Sequence, residues 1–154
     1  MRLVEFSEKN TPDFMDAVRD FLPLAMEHLK LSKLPKIKLV QAVSDTHVPT
    51  FGQFNNKDCC IVLDISNRHP VDVLRTLAHE LVHFKQEENH QLQSDSWMTG
   101  SPQENDANAQ AGVIMRHFNL KHPEYLSLTP IILSKSIDDN KTDGNTATTN
   151  DLDM

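Results

Sequence analysis

Apolar residues recur along the chain at two periods, and the change of period marks the elements. Over 12–31, "PDFMDAVRDFLPLAMEHLKL", Phe14, Ala17, Val18, Phe21, Leu22, Ala25, Met26 and Leu29 return at three- and four-residue steps. That spacing lines one face of a helix. Thr11 is its expected N-cap, Pro12 its first residue, and Pro23 a site for a kink. From Lys36 to Val43 the period drops to two: Ile37, Leu39 and Gln41 alternate with Lys38, Val40 and Ala42, as in a strand. "TFGQFN", 50–55, is a weaker strand interrupted by Gly52, and "NNKD" after it is turn chemistry. "CCIVLDIS", 59–66, is short, apolar and rich in β-branched residues, so it reads as a buried strand.

The helical period returns near "NRHPVDVL" and runs to about Glu88, with Asn67 or His69 as cap and Pro70 at the first helical position. A polar connection, "NHQLQSDSWMTGSP", leads to a third helix over about 103–118. Ser101 is its N-cap, and Glu104, three residues on, has capping-box spacing. Pro123 and Pro130 limit any helix in "HPEYLSLTPIIL". A helix, then strands, then helices predicts an α+β fold. One domain is expected over 1–133. The polar, acidic segment 134–154 reads as a disordered tail.

Composition narrows the function classes. Apolar residues make up 38% of the 154, which suits a single modest core. The net charge of -7 argues against a nucleic-acid binder with a general basic surface. Lys30, Lys33, Lys36 and Lys38 read as a solvated helix end and strand start. The only cysteines, Cys59 and Cys60, are adjacent, which suits neither an ordinary disulfide nor a CxxC zinc site, and points to a reducing compartment. No signal-peptide pattern and no apolar run near the ~20 residues of a membrane span is present. A cytoplasmic protein with no membrane partner is expected. The sequence leaves the oligomeric state open.

The chemistry concentrates in "LAHELVHFKQ", 77–86. Residues four apart share a helix face, so His79 and His83 can direct two imidazoles at one metal ion. Leu74, Leu77, Ala78 and Leu81 fall on the opposite side, leaving the histidines to face a cleft. Zinc lowers the pKa of a bound water to about 7, and Glu80, adjacent on the helix surface, is the candidate base. A catalytic zinc site wants a third protein ligand. His90 lies on the same face but about 10 Å along the helix, too far to share the ion. Asp95 sits in the connection. Glu104 opens the next helix, where Glu104, Ala107, Asn108 and Ala111 share a face; the alanines and Gly112 would permit close helix approach. Glu104 is therefore the expected third ligand, Asp106 the reserve, and Asn108 a hydrogen-bonding partner for a ligand histidine.

"HELVH" followed by "ENDANAQAGVIM" resembles the gluzincin-type zincin metallopeptidases, and most closely the small ImmA/IrrE-type peptidases, with a Glu-x-x-Ala-Asn helix after HExxH. Small peptidases of this kind are also common in phage genomes. The resemblance covers about 60–118. It implies a minimal zincin-like domain: a small mixed sheet packed on the HExxH helix and flanking helices. By that resemblance His79, His83 and Glu104 hold Zn2+, Glu80 is the general base and Asn108 supports a ligand. A SprT-like pattern would want a histidine near Met98 and often a cysteine zinc ribbon, neither of which is present.

In zincins the substrate pairs with an exposed sheet edge, for which "TFGQFN" is the candidate, and a late Tyr or His often stabilises the oxyanion. Tyr125, His117 and His122 are available. His117 reads equally as a helix-end cation and Tyr125 as a packed aromatic. The expected function is zinc-dependent endopeptidase cleavage of a protein or peptide substrate. The alternatives are a zinc-binding structural or regulatory protein, for example phage-associated, with little or no turnover, and a metal-free helical interaction domain.

Overall fold

The computed structural model describes residues 13–41, 51–132 and 149–152. Three helices and a small mixed sheet form an α+β arrangement: α1 (Phe14–Leu29), β1 (Lys36–Val40), β2 (Gly52–Asn55), β3 (Cys60–Asp64), α2 (Pro70–Glu88), α3 (Pro102–Lys121), a 3-10 turn (Pro123–Ser127) and β4 (Thr149–Leu152). Strand order is β2-β3-β1-β4. β1 runs parallel to β3, while β2 pairs antiparallel with β3 and β4 antiparallel with β1.

α1 is capped by Asp13, whose carboxylate accepts from the Asp16 N–H while Asp16 reciprocates at the Asp13 N–H. That cap lies two residues beyond the expected Thr11, which with Pro12 is outside the described residues. Asp13 wins because its short carboxylate reaches an orphan N–H of the first turn. The helix runs through Pro23, which sits on the exposed side, and ends with Lys30 in the left-handed conformation. β1 buries Ile37 and Leu39, as the alternation predicts, and ends at Val40; Ala42 and Val43 are outside the described residues.

α2 is the central element. It packs on β2 and β3, on α1 and on α3. Val73, Leu74, Leu77, Ala78, Leu81 and Val82 are all buried, so the helix is enclosed on more than its leucine stripe. His69 caps it, its Nδ1 accepting from the Val71 N–H. Gly52 permits the sheet to close on this helix: a Cβ there would fall 2.4 Å from Thr76 Cγ2 and 3.1 Å from Leu63 Cδ2. Phe54, two residues along β2, packs edge-on against Phe84 of α2 with centroids 6.0 Å apart. β2 and α2 therefore advance in the same direction, Gly52 beside Thr76 and Phe54 beside Phe84.

Ala107 and Ala111 of α3 are buried in the core, whereas a Cβ at Gly112 would meet nothing, so close helix approach does not depend on that glycine. Within 134–154, expected as a disordered tail, Thr149–Leu152 forms a strand on β1. Backbone pairing at a sheet edge needs no apolar run, which is why composition gave no sign of it. Positions 134–148 and 153–154 are outside the described residues. Among the described residues no helix is long and apolar enough to cross a membrane.

Candidate metal centre

The centre is assembled by α2 and the first turn of α3. Ser101 caps α3 by accepting from the Glu104 N–H at 3.0 Å. A complete capping box would return the Glu104 carboxylate to the Ser101 N–H, but that N–H donates to the Met98 carbonyl at 2.9 Å. The Glu104 carboxylate turns instead to α2. Its Oε1 lies 3.0 Å from His79 Nε2 and its Oε2 lies 3.0 Å from His83 Nε2. The two Nε2 atoms are 3.1 Å apart. The structure thus brings together His79, His83 and Glu104, a group able to hold a metal ion.

A buried amide orients the His83 ring. Gln86, one turn further along α2, donates through Nε2 to the Gln103 carbonyl at 3.0 Å and to Asp106 Oδ2 at 3.1 Å. Both partners are acceptors, which fixes the orientation of the amide. Its Oε1 then faces His83 Nδ1 at 2.8 Å, so Nδ1 carries the proton. With Nδ1 held by Gln86, the His83 ring turns its Nε2 toward the Glu104 carboxylate and the other imidazole. Two imidazole nitrogens and a carboxylate converging at 3.0–3.1 Å call for a positive charge between them, either a proton or a metal ion. A proton is disfavoured on His79, whose pKa is lowered first by burial and also by His83, against the opposing pull of the Glu104 charge and of hydrogen bonds that the ring donates to Asn108 and Glu104.

A divalent cation fits the donor set. Two ligands held at about 2.0–2.1 Å in tetrahedral geometry stand about 3.3 Å apart, close to the spacing found. Two imidazoles and one carboxylate suit zinc among the common divalent ions.

Glu80 is buried beside this group and close to Gly52, with its Cγ 3.6 Å from where a Cβ would stand. Burial and the Glu104 carboxylate raise its pKa to about 7, opposed by a hydrogen bond from the Phe54 backbone. That places a carboxyl able to exchange a proton near neutral pH at the side of the centre.

The centre opens into a cleft of about 970 Å³, walled by β2, α2, the start of α3 and Trp97. Asn108, expected as a supporting residue, lines it and contacts His79. β2 is an edge strand of the described sheet. The Asp64 N–H bonds to the Phe51 carbonyl, so residues 51 and 64 face each other as a hydrogen-bonded pair. In an antiparallel ladder these pairs alternate, so the backbone groups of Gly52 and Phe54 point away from β3, toward the cleft.

Other candidates lie elsewhere. Asp106, the reserve ligand, is directed to Gln86 and Gln110 rather than to the centre. His90 and Asp95 are exposed beyond the end of α2. Tyr125 is stacked on Phe118 and donates to Asp20, while His117 and His122 line a separate groove between α1 and α3. None of these three lines the cleft beside His79, His83 and Glu104. His83, expected on a cleft-facing surface, is 1% exposed, covered in part by Trp97 with ring centroids 4.9 Å apart.

Three contributors went unrecognised in the sequence. Gln86 carried a usable signal, since it is three residues after His83 and shares its face. Trp97 and Gly52 carried none, because their roles depend on a non-periodic connection and on a neighbouring helix. No protein-family model, no curated protein and no solved structure matches this protein.

Proposed function

We propose that this protein is a zinc-dependent metallopeptidase of minimal zincin-like architecture, akin to the ImmA/IrrE-type peptidases, that hydrolyses peptide bonds in a protein or peptide substrate. One observation carries the proposal: His79, His83 and Glu104 converge within about 3 Å of one another, beside an unliganded Glu80, in an open cleft. His79, His83 and Glu104 would hold the ion. When bound, zinc supplies Lewis acidity for water activation and carbonyl polarisation. Gln86 keeps the His83 Nε2 directed at the site by accepting a hydrogen bond from Nδ1–H. Glu80 accepts the proton of the attacking water and returns it to the departing amine. The edge of β2 offers the Gly52 backbone groups and the Phe54 carbonyl to an extended substrate, the Phe54 N–H being held by Glu80.

The test is hydrolysis of an unstructured protein by zinc-loaded wild type and Glu80→Gln. Cleavage by wild type, lost on chelation and reduced at least about a hundredfold in Glu80→Gln, is expected. Equal cleavage by both would remove Glu80 from the reaction. A second reading, zinc binding with little turnover, is favoured by the absence of Tyr125, His117 and His122 from the cleft, which leaves no candidate among them to stabilise an oxyanion. It predicts tight zinc binding and no cleavage by either protein.

A further inference from the structure

The cleft's free charges have one sign. Its two lining carboxylates, Glu80 and Glu104, belong to the metal centre, whereas Arg75 and Lys57 line it without serving the centre. Arg75 lies one helical turn before His79 on the same face, about 6 Å along the axis. Its guanidinium forms no ion pair or hydrogen bond among the described residues, although Asp72 is three positions away on α2. Nearby Arg68 shows the contrast: it is committed to the carbonyls of Phe51, Asp64 and Asp72 and to Thr76 Oγ1. In a protein with a net charge of -7, an uncommitted arginine facing a cleft runs against the overall field.

We infer that the cleft selects acidic peptides, with Arg75 pairing a substrate Asp or Glu on the C-terminal side of the scissile bond. The inference rests on the peptidase proposal. Direction follows from the edge strand. β2 runs from Gly52 beside Thr76 toward Phe54 beside Phe84, so a substrate added antiparallel to it runs from the Trp97 end toward Arg75. Residues that follow the scissile bond therefore extend past Arg75. At about 3.3 Å per extended residue, the 6 Å offset corresponds to an acidic residue one or two positions downstream. A guanidinium suits this task because its planar fork binds a carboxylate through two hydrogen bonds. Lys57, on the turn at the other end of β2, adds to the attraction for a negatively charged peptide.

Trp97 is the only tryptophan, and it borders the cleft, so its fluorescence reports occupancy. The experiment titrates zinc-loaded Glu80→Gln with two peptides of one sequence, carrying Glu or Gln at the two downstream positions. The Glu peptide is expected to bind about three- to tenfold more tightly at low salt, and the advantage to shrink at high salt. Adding Arg75→Gln should abolish the difference, and Arg75→Glu should reverse it toward a Lys peptide. Arg75 is exposed on its helix, so these variants are expected to fold. Equal binding of the two peptides, a preference that survives Arg75→Gln, or no binding of either would overturn the inference. Hydrolysis of the same peptides by wild type is read separately. A charge preference in binding with no hydrolysis would refute the peptidase proposal while leaving the acidic-peptide preference standing.

Discussion

Replacing Gly52 by Ala tests how the sheet edge meets α2. The added Cβ would lie 2.4 Å from Thr76 Cγ2, against 3.4 Å for ordinary contact, so the atoms must part by about 1 Å. Backbone conformation adds nothing to the cost, since Gly52 is not among the residues with positive φ. Overpacking of this kind costs about 1–3 kcal/mol, offset by about 0.4–1 kcal/mol from the stiffer unfolded state. A net loss of about 1–2 kcal/mol is expected. Thr76→Ser removes the clashing methyl but keeps the hydroxyl that accepts from Arg68 Nη2 at 2.6 Å. Alone it should cost about 0.5–1 kcal/mol, the value of one partly buried methyl. Combined with Gly52→Ala it should restore stability to within about 0.5 kcal/mol of wild type, a favourable coupling of at least about 1 kcal/mol. Urea unfolding of the four proteins measures the cycle. Additive losses, or a neutral Gly52→Ala in the wild-type background, would refute the close approach of β2 to α2.

Two further outcomes follow from the buried polar groups. Gln86→Leu takes the acceptor from His83 Nδ1–H and the donor from Asp106 and the Gln103 carbonyl; zinc affinity measured by chelator competition should fall about 10–100-fold, and an unchanged affinity would show that the amide does not set the tautomer. Glu80 has a folded pKa of about 7 in the metal-free protein, above its unfolded value, so the folded state retains a proton that the unfolded state releases. Its contribution is present below pH ~4.5 and is lost as pH rises through about 7. Metal-free Glu80→Gln should therefore exceed wild type in stability at pH 8, by up to about 3 kcal/mol, with the gain fading toward pH 4; a gain independent of pH, or none, would contradict the burial of an ionisable carboxyl there.

Much of the scaffold is legible because local signals and packing agree. Pro70 and Ser101 announce α2 and α3, and Ile37 and Leu39 alternate into the core. The histidine pair follows from helical periodicity alone. What periodicity misreads is α2's polar side: it turns His83 to a cleft and leaves Glu80 on the helix surface, whereas both are buried, as is Gln86, because α3, β2 and Trp97 close over them. A polar residue in such a place keeps its partners from distant segments, and a helical wheel contains no information about those. Glu104 illustrates the same limit. Its spacing from Ser101 fits a capping box, and only the alternative use of the Ser101 N–H shows that the carboxylate is free to face the histidines. β4 pairs with β1 along the backbone, and its polar sequence left no trace in the hydrophobic pattern.

The central claim, a three-ligand metal centre, is tested most directly by zinc stoichiometry. Native mass spectrometry would be run on wild type, His79→Ala, Glu104→Ala and Asp106→Ala, with Trp97 fluorescence, 4.9 Å from the His83 ring, following each titration. The account predicts one zinc per molecule in wild type, binding weakened or lost in His79→Ala and Glu104→Ala, and stoichiometric zinc retained in Asp106→Ala. No zinc taken up by wild type, or binding indifferent to His79 and Glu104, would contradict it.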